Sequence, residues 1–205
     1  MEIIINKVAK RYLYDWVFKN ISLHLLPSHR YAILGKNGSG KSTLLKIISG
    51  HLSPSKGTIE YIVEGKSLDK DNIYKELSFT SPYIDLIEEF TLTELVHFHQ
   101  QFKPFTNKLS SDEFLTLIEL KEVKNKEIRF FSSGMKQRLK LGLAICSQTS
   151  LLLLDEPTVT LDERSIQWFH HLLDQFSTKR LIIIASNEER DVLSCKKRID
   201  IMDYK

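Results

Sequence analysis

Gly35-Lys36-Asn37-Gly38-Ser39-Gly40-Lys41-Ser42 fits the pattern G-x-x-x-x-G-K-[ST] without a mismatch. These residue types at this spacing suit the holding of a polyphosphate. Glycine tolerates positive φ, so backbone N–H groups can curl around phosphate oxygens. Lys41 adds a full positive charge, worth about 4 kcal/mol against an anion about 4 Å away at an effective dielectric near 20. The Ser42 hydroxyl is placed to ligate Mg²⁺. A second set lies at Leu151-Leu152-Leu153-Leu154-Asp155-Glu156-Pro157, an apolar run that ends in two adjacent carboxylates. Strand alternation sends their side chains opposite ways. Asp155 is therefore read as the Mg²⁺ ligand. Glu156 is read as the general base or orienting group for an attacking water. Alone, the pair also reads as an acidic strand end forming surface salt bridges; the complete loop upstream favours the first reading.

The elements that must position these groups are legible around them. Tyr31–Leu34 is a short apolar run stopped by Gly35, as a buried strand should be. A helix starts near Lys41, carries Leu44, Leu45, Ile47 and Ile48 on one side, and stops at Gly50. Ile3-Ile4-Ile5, the alternating Ile21–Leu25 and Thr58–Val63 read as further strands. Residues 84–147 change character. Thr91 is an N-cap with Glu94 in the first turn, and Leu95, Phe98 and Phe102 follow at helical spacing. Phe114, Leu115, Leu117 and Ile118 form another helical face. Leu151–Leu154 returns as a strand, Ile166, Phe169, Leu173 and Phe176 mark an amphipathic helix, and Leu181–Ser186 is the next buried strand. Arg198–Asp203 reads as a last strand. The fold class is therefore α/β. A helical subdomain over 82–147 is inserted into an α/β core over 1–81 and 148–205.

Composition bounds what remains. The chain has 205 residues, 42% hydrophobic and 27% charged, an ordinary globular balance. A chain of this size buries roughly 70% of its surface on folding. The net charge is +3, which does not argue for nucleic acid. No apolar run approaches the 18 or so residues of a membrane span, and Met1-Glu2 opens no secretion signal. Cys146 and Cys195 form no CxxC pair and read as reduced, packed thiols of an intracellular protein. His97 and His99 lie about 200° apart around a helix, so they cannot share a metal. Lys196-Lys197-Arg198 reads as a solvated surface.

With the phosphate loop and the carboxylate pair in place, the chain resembles the ATP-binding cassette (ABC) family essentially from end to end. The most specific mark is Phe131-Ser132-Ser133-Gly134-Met135-Lys136-Gln137-Arg138, similar to that family's Leu-Ser-Gly-Gly-Gln signature with Phe first, Ser third and Met fifth. A serine hydroxyl and backbone N–H groups ahead of a helix also make an anion site on physical grounds alone. The resemblance implies a nucleotide-binding P-loop NTPase core with an antiparallel β subdomain, ATP and Mg²⁺ as cofactors, and nucleotide contacts from Gly35 through Thr43. It implies that Ser132 and Gly134 meet the γ-phosphate held by an opposite subunit, with Ser133 and Met135 beside them in the nucleotide-binding signature, and that Tyr12 stacks on adenine. Tyr14 and Trp16 lie close, so Tyr12 also reads as an ordinary strand aromatic. Thr160-Leu161-Asp162 looks like the loop that crosses the dimer interface.

Two departures face the γ-phosphate in that resemblance. Pro82 stands where the family has a glutamine, and Asn187 stands where it has a switch histidine. An amide still hydrogen-bonds but cannot become an imidazolium. Slow hydrolysis is therefore expected, with Glu156 and Asn187 at the reacting end. The expected role is the ATPase subunit of an ABC transporter at the cytoplasmic face of the inner membrane. It would dimerise around Mg-ATP, with itself or with another ABC subunit, and drive a separate transmembrane permease. Tyr83, Ile84, Leu86, Ile87 and Phe90 would either receive a short helix of that permease or pack the helical subdomain. A weakly hydrolytic regulatory module is the first alternative. A soluble non-transport ABC ATPase is the second, and no nucleic-acid partner is expected.

Overall fold

The computed structural model describes residues 1–177 and 179–205. It has two compact units: Met1–Phe79 with Ser150–Glu156 and Lys179–Lys205, and Thr80–Thr149 with the segment that begins at Pro157.

In chain order the elements are β1 (Glu2–Tyr12), β2 (Asp15–Leu25), β3 (Arg30–Leu34), α1 (Lys41–Ile48), β4 (Lys56–Val63), β5 (Lys66–Leu68), α2 (Ile73–Glu76), β6 (Leu77–Thr80), α3 (Leu92–Phe102), α4 (Ser111–Leu117), α5 (Ser133–Cys146), β7 (Leu151–Asp155), α6 (Glu163–Phe176), β8 (Leu181–Ala185) and β9 (Lys197–Asp200).

The first unit holds two sheets. One is antiparallel, in the order β2-β1-β4-β5. Ile3 and Ile5 alternate inward on β1, opposite Leu25 and Leu23. β1 bulges between Ile5 and Val8, where its pairing with β2 shifts. Gly57 on β4 passes this bulge: its φ is +83° and a Cβ there would lie 2.5 Å from the backbone of Asn6 and Lys7. Only glycine meets both conditions. The other sheet runs β6-β7-β8-β3-β9, with β7, β8, β3 and β9 parallel. Every residue of β7 and β8 is buried. This explains the unbroken apolar runs, because a parallel sheet is covered on both faces. Leu44, Leu45, Ile47 and Ile48 of α1 join that core. The order β7-β8-β3 brings the carboxyl ends of three strands side by side, where open α/β sheets bind ligands.

Among the described residues, the regular structure of the second unit is helical apart from isolated bridges and Thr80, the end of β6. Thr91 and Ser110 each form a full capping box, with Glu94 and Glu113, at the starts of α3 and α4. α5 passes α4 closely at Gly142, where a Cβ would meet Ile118 Cγ2 at 2.4 Å. Arg138 lies over Trp168 at 4.7 Å and donates to Ser165 Oγ, which joins α5 to α6. His99 is half-buried, its Nε2 2.8 Å from Ser147 Oγ, and desolvation pushes its pKa down to about 4.

Two elements differ from expectation. The segment 198–203 does not stay extended. β9 ends at Asp200, whose carboxylate accepts from Met202 N–H, and a 3-10 turn follows over Ile201–Tyr204. A side-chain oxygen that reaches the backbone two residues on stops the ladder. On α3 the buried stripe is Leu92, Leu95 and Val96. Phe98 and Phe102 instead lie on the exposed side, where Phe98 meets Phe90 and Phe102 edge to face. Cys146 and Cys195 form no disulfide, and both are buried. Among the described residues, no helix is long and apolar enough to cross a membrane.

Candidate functional site

The phosphate loop leaves the end of β3 and enters α1. Gly35, Gly38 and Gly40 all take positive φ, at 147°, 75° and 106°. At Gly40 the demand is also steric, since a Cβ would sit 2.5 Å from Val17 Cγ1. Gly40 is the N-cap of α1 and offers no side-chain hydrogen bond. The first N–H groups of that helix therefore have no side-chain cap, and the positive end of its dipole favours an anion. Lys41 is buried at 5% exposure. Its ammonium donates to Gly35 O at 2.8 Å and pairs with Glu156 Oε1 at 3.2 Å. Lys36, Asn37 and Gly38 are exposed; Ser42 and Thr43 are half-buried on the first turn of α1.

Asp155 closes β7 at 2% exposure, and its Oδ1 makes no hydrogen bond. Burial raises the pKa of this carboxyl. The hydrogen bond from Ser42 opposes that, Glu156 adds to it, and Lys41 and Lys46 subtract. A buried carboxylate oxygen without a partner, beside a serine hydroxyl, is a hard-oxygen pair suited to a divalent cation that keeps waters in its shell. Asp155 and Ser42 are thus fit to hold Mg²⁺. The sign of the shift gives a test. A carboxyl whose folded pKa is raised loses stability as pH climbs from the unfolded value through the folded one. At neutral pH the charged Asp155 is therefore a net cost to the metal-free fold. Asp155→Asn should raise the melting temperature of the nucleotide-free protein at pH 7, each 1 kcal/mol appearing as about 2–4 °C. It should also remove the stabilisation that added Mg²⁺ confers in the presence of ATP. A lower melting temperature in the variant would contradict the assignment.

Glu156 has already left the strand. Its φ of 46° puts a non-glycine residue in the left-handed region, a conformation that costs about 1–3 kcal/mol and persists where surroundings hold it. Those surroundings are visible. Its N–H donates to Ala185 O at 2.8 Å, and its Oε2 lies 3.1 Å from Ser186 Oγ. Ser186 Oγ also lies 2.5 Å from Asp191 Oδ2. One hydroxyl proton serves only one of the two carboxylates at a time. Ser186 follows β8 directly, and nothing in its local sequence marks it for this contact. Asn187, the next residue, is exposed.

Tyr12 ends β1 at 52% exposure, with the Lys10 ammonium 5.2 Å from its ring centroid. Trp16, close by in sequence, has Arg11, Lys19 and Lys56 around its ring.

The signature residues belong to the second unit. Ser132 caps α5, its Oγ accepting from Met135 N–H at 3.2 Å. Ser132 and Ser133 are exposed, Gly134 and Met135 half-buried. A Cβ on Gly134 would meet nothing nearer than Thr160 O at 3.7 Å, so the chain's own packing does not require glycine there. Gln137, buried, donates to Pro157 O at 2.7 Å and holds the segment after Glu156 to α5. Asp162 caps α6 by accepting from Ser165 N–H at 2.8 Å; the Ser165 side chain, and after it that backbone bond, pulls its pKa down. Thr160 beside it has a φ of 68°. Pro82, Ile84, Leu86, Lys136, Lys140 and Val159 help to line a cavity of about 220 Å³ in this unit. The Lys140 ammonium donates to Pro82 O at 3.1 Å and Ile84 O at 3.3 Å, fixing the segment where a glutamine was expected. Gln137 and Lys140 carry only a helical pattern in the sequence, so nothing local announced these contacts.

The family described as ABC transporter matches residues 18–159. YybJ, an uncharacterized ABC transporter ATP-binding protein of Bacillus subtilis, is 33% identical over 191 residues, which cover 87% of this chain and 82% of the relative. The mouse ATP-binding cassette sub-family A member 17 is 32% identical over 182 residues, 85% of this chain and 10% of the mouse protein. The chain thus spans well under two thirds of some relatives. A dimeric ATP-binding cassette in a post-hydrolysis state, bound to ADP and Pi, has the same fold with a TM-score of 0.81 at 23% identity, over 97% of this chain and 93% of that one. A family match across the phosphate loop, the signature segment and the carboxylate pair agrees with the geometry of each, and the chain belongs to the ABC transporter family as one of its ATP-binding cassettes.

Proposed function

We propose that this chain is the ATP-binding and ATP-hydrolysing subunit of a transporter. Two copies, or one copy and a different cassette, would sandwich two Mg-ATP molecules. The loop 35–42 of one chain would hold each triphosphate, and Ser132 and Gly134 of the other would close over it. The observation that carries the reading is the triad of Lys41, Ser42 and the unpartnered Asp155 oxygen in one compact unit. Gly134 supports the second half: a glycine that its own chain does not need leaves room for a ligand from outside. A likeness to a dimeric cassette that holds ADP and Pi supports the sandwich.

The chemistry is positioning and charge neutralisation. When bound, Mg²⁺ supplies positive charge against the developing charge on the phosphates. Ser42 and Asp155 hold it. Lys41 neutralises phosphate oxygens, and the N–H groups at the start of α1 orient them. Glu156, fixed by Ala185 O and Ser186, accepts the proton of the attacking water or aligns that water. Asn187 hydrogen-bonds the terminal phosphate, and Tyr12 stacks on adenine. The partner is a transmembrane permease, which places the chain at the cytoplasmic face of the inner membrane. The exposed Tyr83 and Ile87 are the docking residues.

Phosphate release from the purified chain, alone and with the membrane protein that co-purifies with it, tests this. Hydrolysis that rises with the partner is expected; none in either case contradicts it. A regulatory, weakly hydrolytic module is favoured instead by Pro82 and Asn187. Asn187→His separates the two. On the transporter reading, phosphate release rises by up to about tenfold, since a histidine adds a titratable group near neutral pH. No rise would mean that Asn187 is adequate or lies away from the phosphate.

A further inference from the structure

We infer that Lys205 is a positioning residue for the phosphate loop, acting through the peptide between Ser39 and Gly40. Its ammonium donates to Ser39 O at 2.6 Å and to Val17 O at 2.8 Å. It therefore joins the loop to β2 from a position 166 residues away in sequence. The 3-10 turn that precedes it brings Ile201, fully buried, to the same loop. A Cβ on Gly35 would meet Ile201 Cγ2 at 2.8 Å, and one on Gly40 would meet Ile201 Cδ1 at 3.6 Å. Isoleucine packs the back of the loop while lysine fixes its backbone.

This peptide needs such a restraint. Its orientation depends on the torsions on either side, and Gly40 at φ 106° is free to turn at little cost. The Ser39 side chain does not fix it, because its buried hydroxyl makes no hydrogen bond. In a planar trans peptide the carbonyl and the N–H point in opposite directions. Holding Ser39 O toward Lys205 therefore turns the Gly40 N–H to the other side, among the donors ahead of α1. A loop fixed this way before the ligand arrives loses less freedom on binding. The inference rests on the nucleotide reading above and goes beyond it, since Lys205 lies outside the motif and touches the loop only through a carbonyl.

The test is calorimetric titration of the full chain with ADP. Lys205→Met should weaken ADP binding about fivefold, the scale of one exposed charge-assisted contact. Lys205→Arg should restore most of it, because a guanidinium also donates to carbonyls. The ratio between wild type and Lys205→Met should survive in 1 M salt, where the Debye length is about 3 Å and distant charges no longer act. In the hydrolysis assay, KM for ATP should rise more than kcat falls. Lys66→Met, an exposed lysine on β5, serves as the control for charge alone. Unchanged ADP affinity in Lys205→Met overturns the inference. So does a difference that vanishes in high salt, or an arginine variant as weak as the methionine one. If the wild-type chain itself fails to bind ADP, the nucleotide reading falls first, and the two failures are told apart.

Discussion

Glu156→Gln should lower phosphate release at saturating Mg-ATP by about 100- to 10,000-fold, the range for removal of a general base. Its affinity for ATP should hold or improve. The reason is the ion pair between Lys41 and Glu156 at 3.2 Å. A neutral amide competes less for the ammonium, which leaves more of it for phosphate. Size-exclusion with light scattering should then find a dimer with ATP and Mg²⁺ and a monomer with ADP. Glutamine is nearly isosteric and can keep the contact with Ser186, so the backbone strain at residue 156 has no reason to relax. Turnover within about threefold of wild type would remove Glu156 from the mechanism, well short of the smallest loss expected for such a group. A variant that stays monomeric with ATP would count against the sandwich in the isolated subunit.

Lys41→Ala should act on binding rather than on the reacting water. A unit charge about 4 Å from an anion is worth about 4 kcal/mol at a dielectric near 20, or about a thousandfold. The realised loss is smaller, because the ammonium already has Gly35 O and Glu156 as partners that phosphate must replace. A loss of about a hundredfold in ATP and ADP affinity is therefore expected. The substitution also leaves Glu156 without its cation and opens space at a buried position, so the nucleotide-free variant should melt lower. Calorimetry on the folded fraction separates the two effects. An affinity within about threefold of wild type would mean that the loop does not use this lysine on phosphate.

Much of the local geometry of this candidate site is legible in the sequence, and the reason is contiguity. The loop 35–42 works through glycine backbone freedom and one helix start, both encoded within eight residues. Asp155 stands out because an all-apolar strand that ends in a carboxylate follows a complete phosphate loop in the same chain. The left-handed turn at Glu156 does not, since strand alternation was assumed to continue one residue too far. Ser186, Gln137, Lys140 and Lys205 act across the fold. Lys140 meets Pro82 O from 58 residues away and Gln137 meets Pro157 O from 20. Their local patterns say only strand end, helix or surface charge. On α3, Leu95, Phe98 and Phe102 fit one helical stripe by spacing, yet Val96 and Leu92 took the buried side. Periodicity names a face and leaves open which of two neighbouring faces the rest of the unit covers.

The central claim is that residues 35–42 hold the phosphate tail of a nucleotide with Lys41, Ser42 and Asp155. Calorimetric titration of Glu156→Gln, full chain, with ATP in the presence and absence of Mg²⁺ tests it most directly, because the ligand is not consumed. Saturable binding at one nucleotide per chain, tightened by Mg²⁺ and lost in the additional Lys41→Ala variant, is the predicted result. No heat of binding from a chain shown to be folded by its melting transition, or binding indifferent to both Mg²⁺ and Lys41, would contradict it.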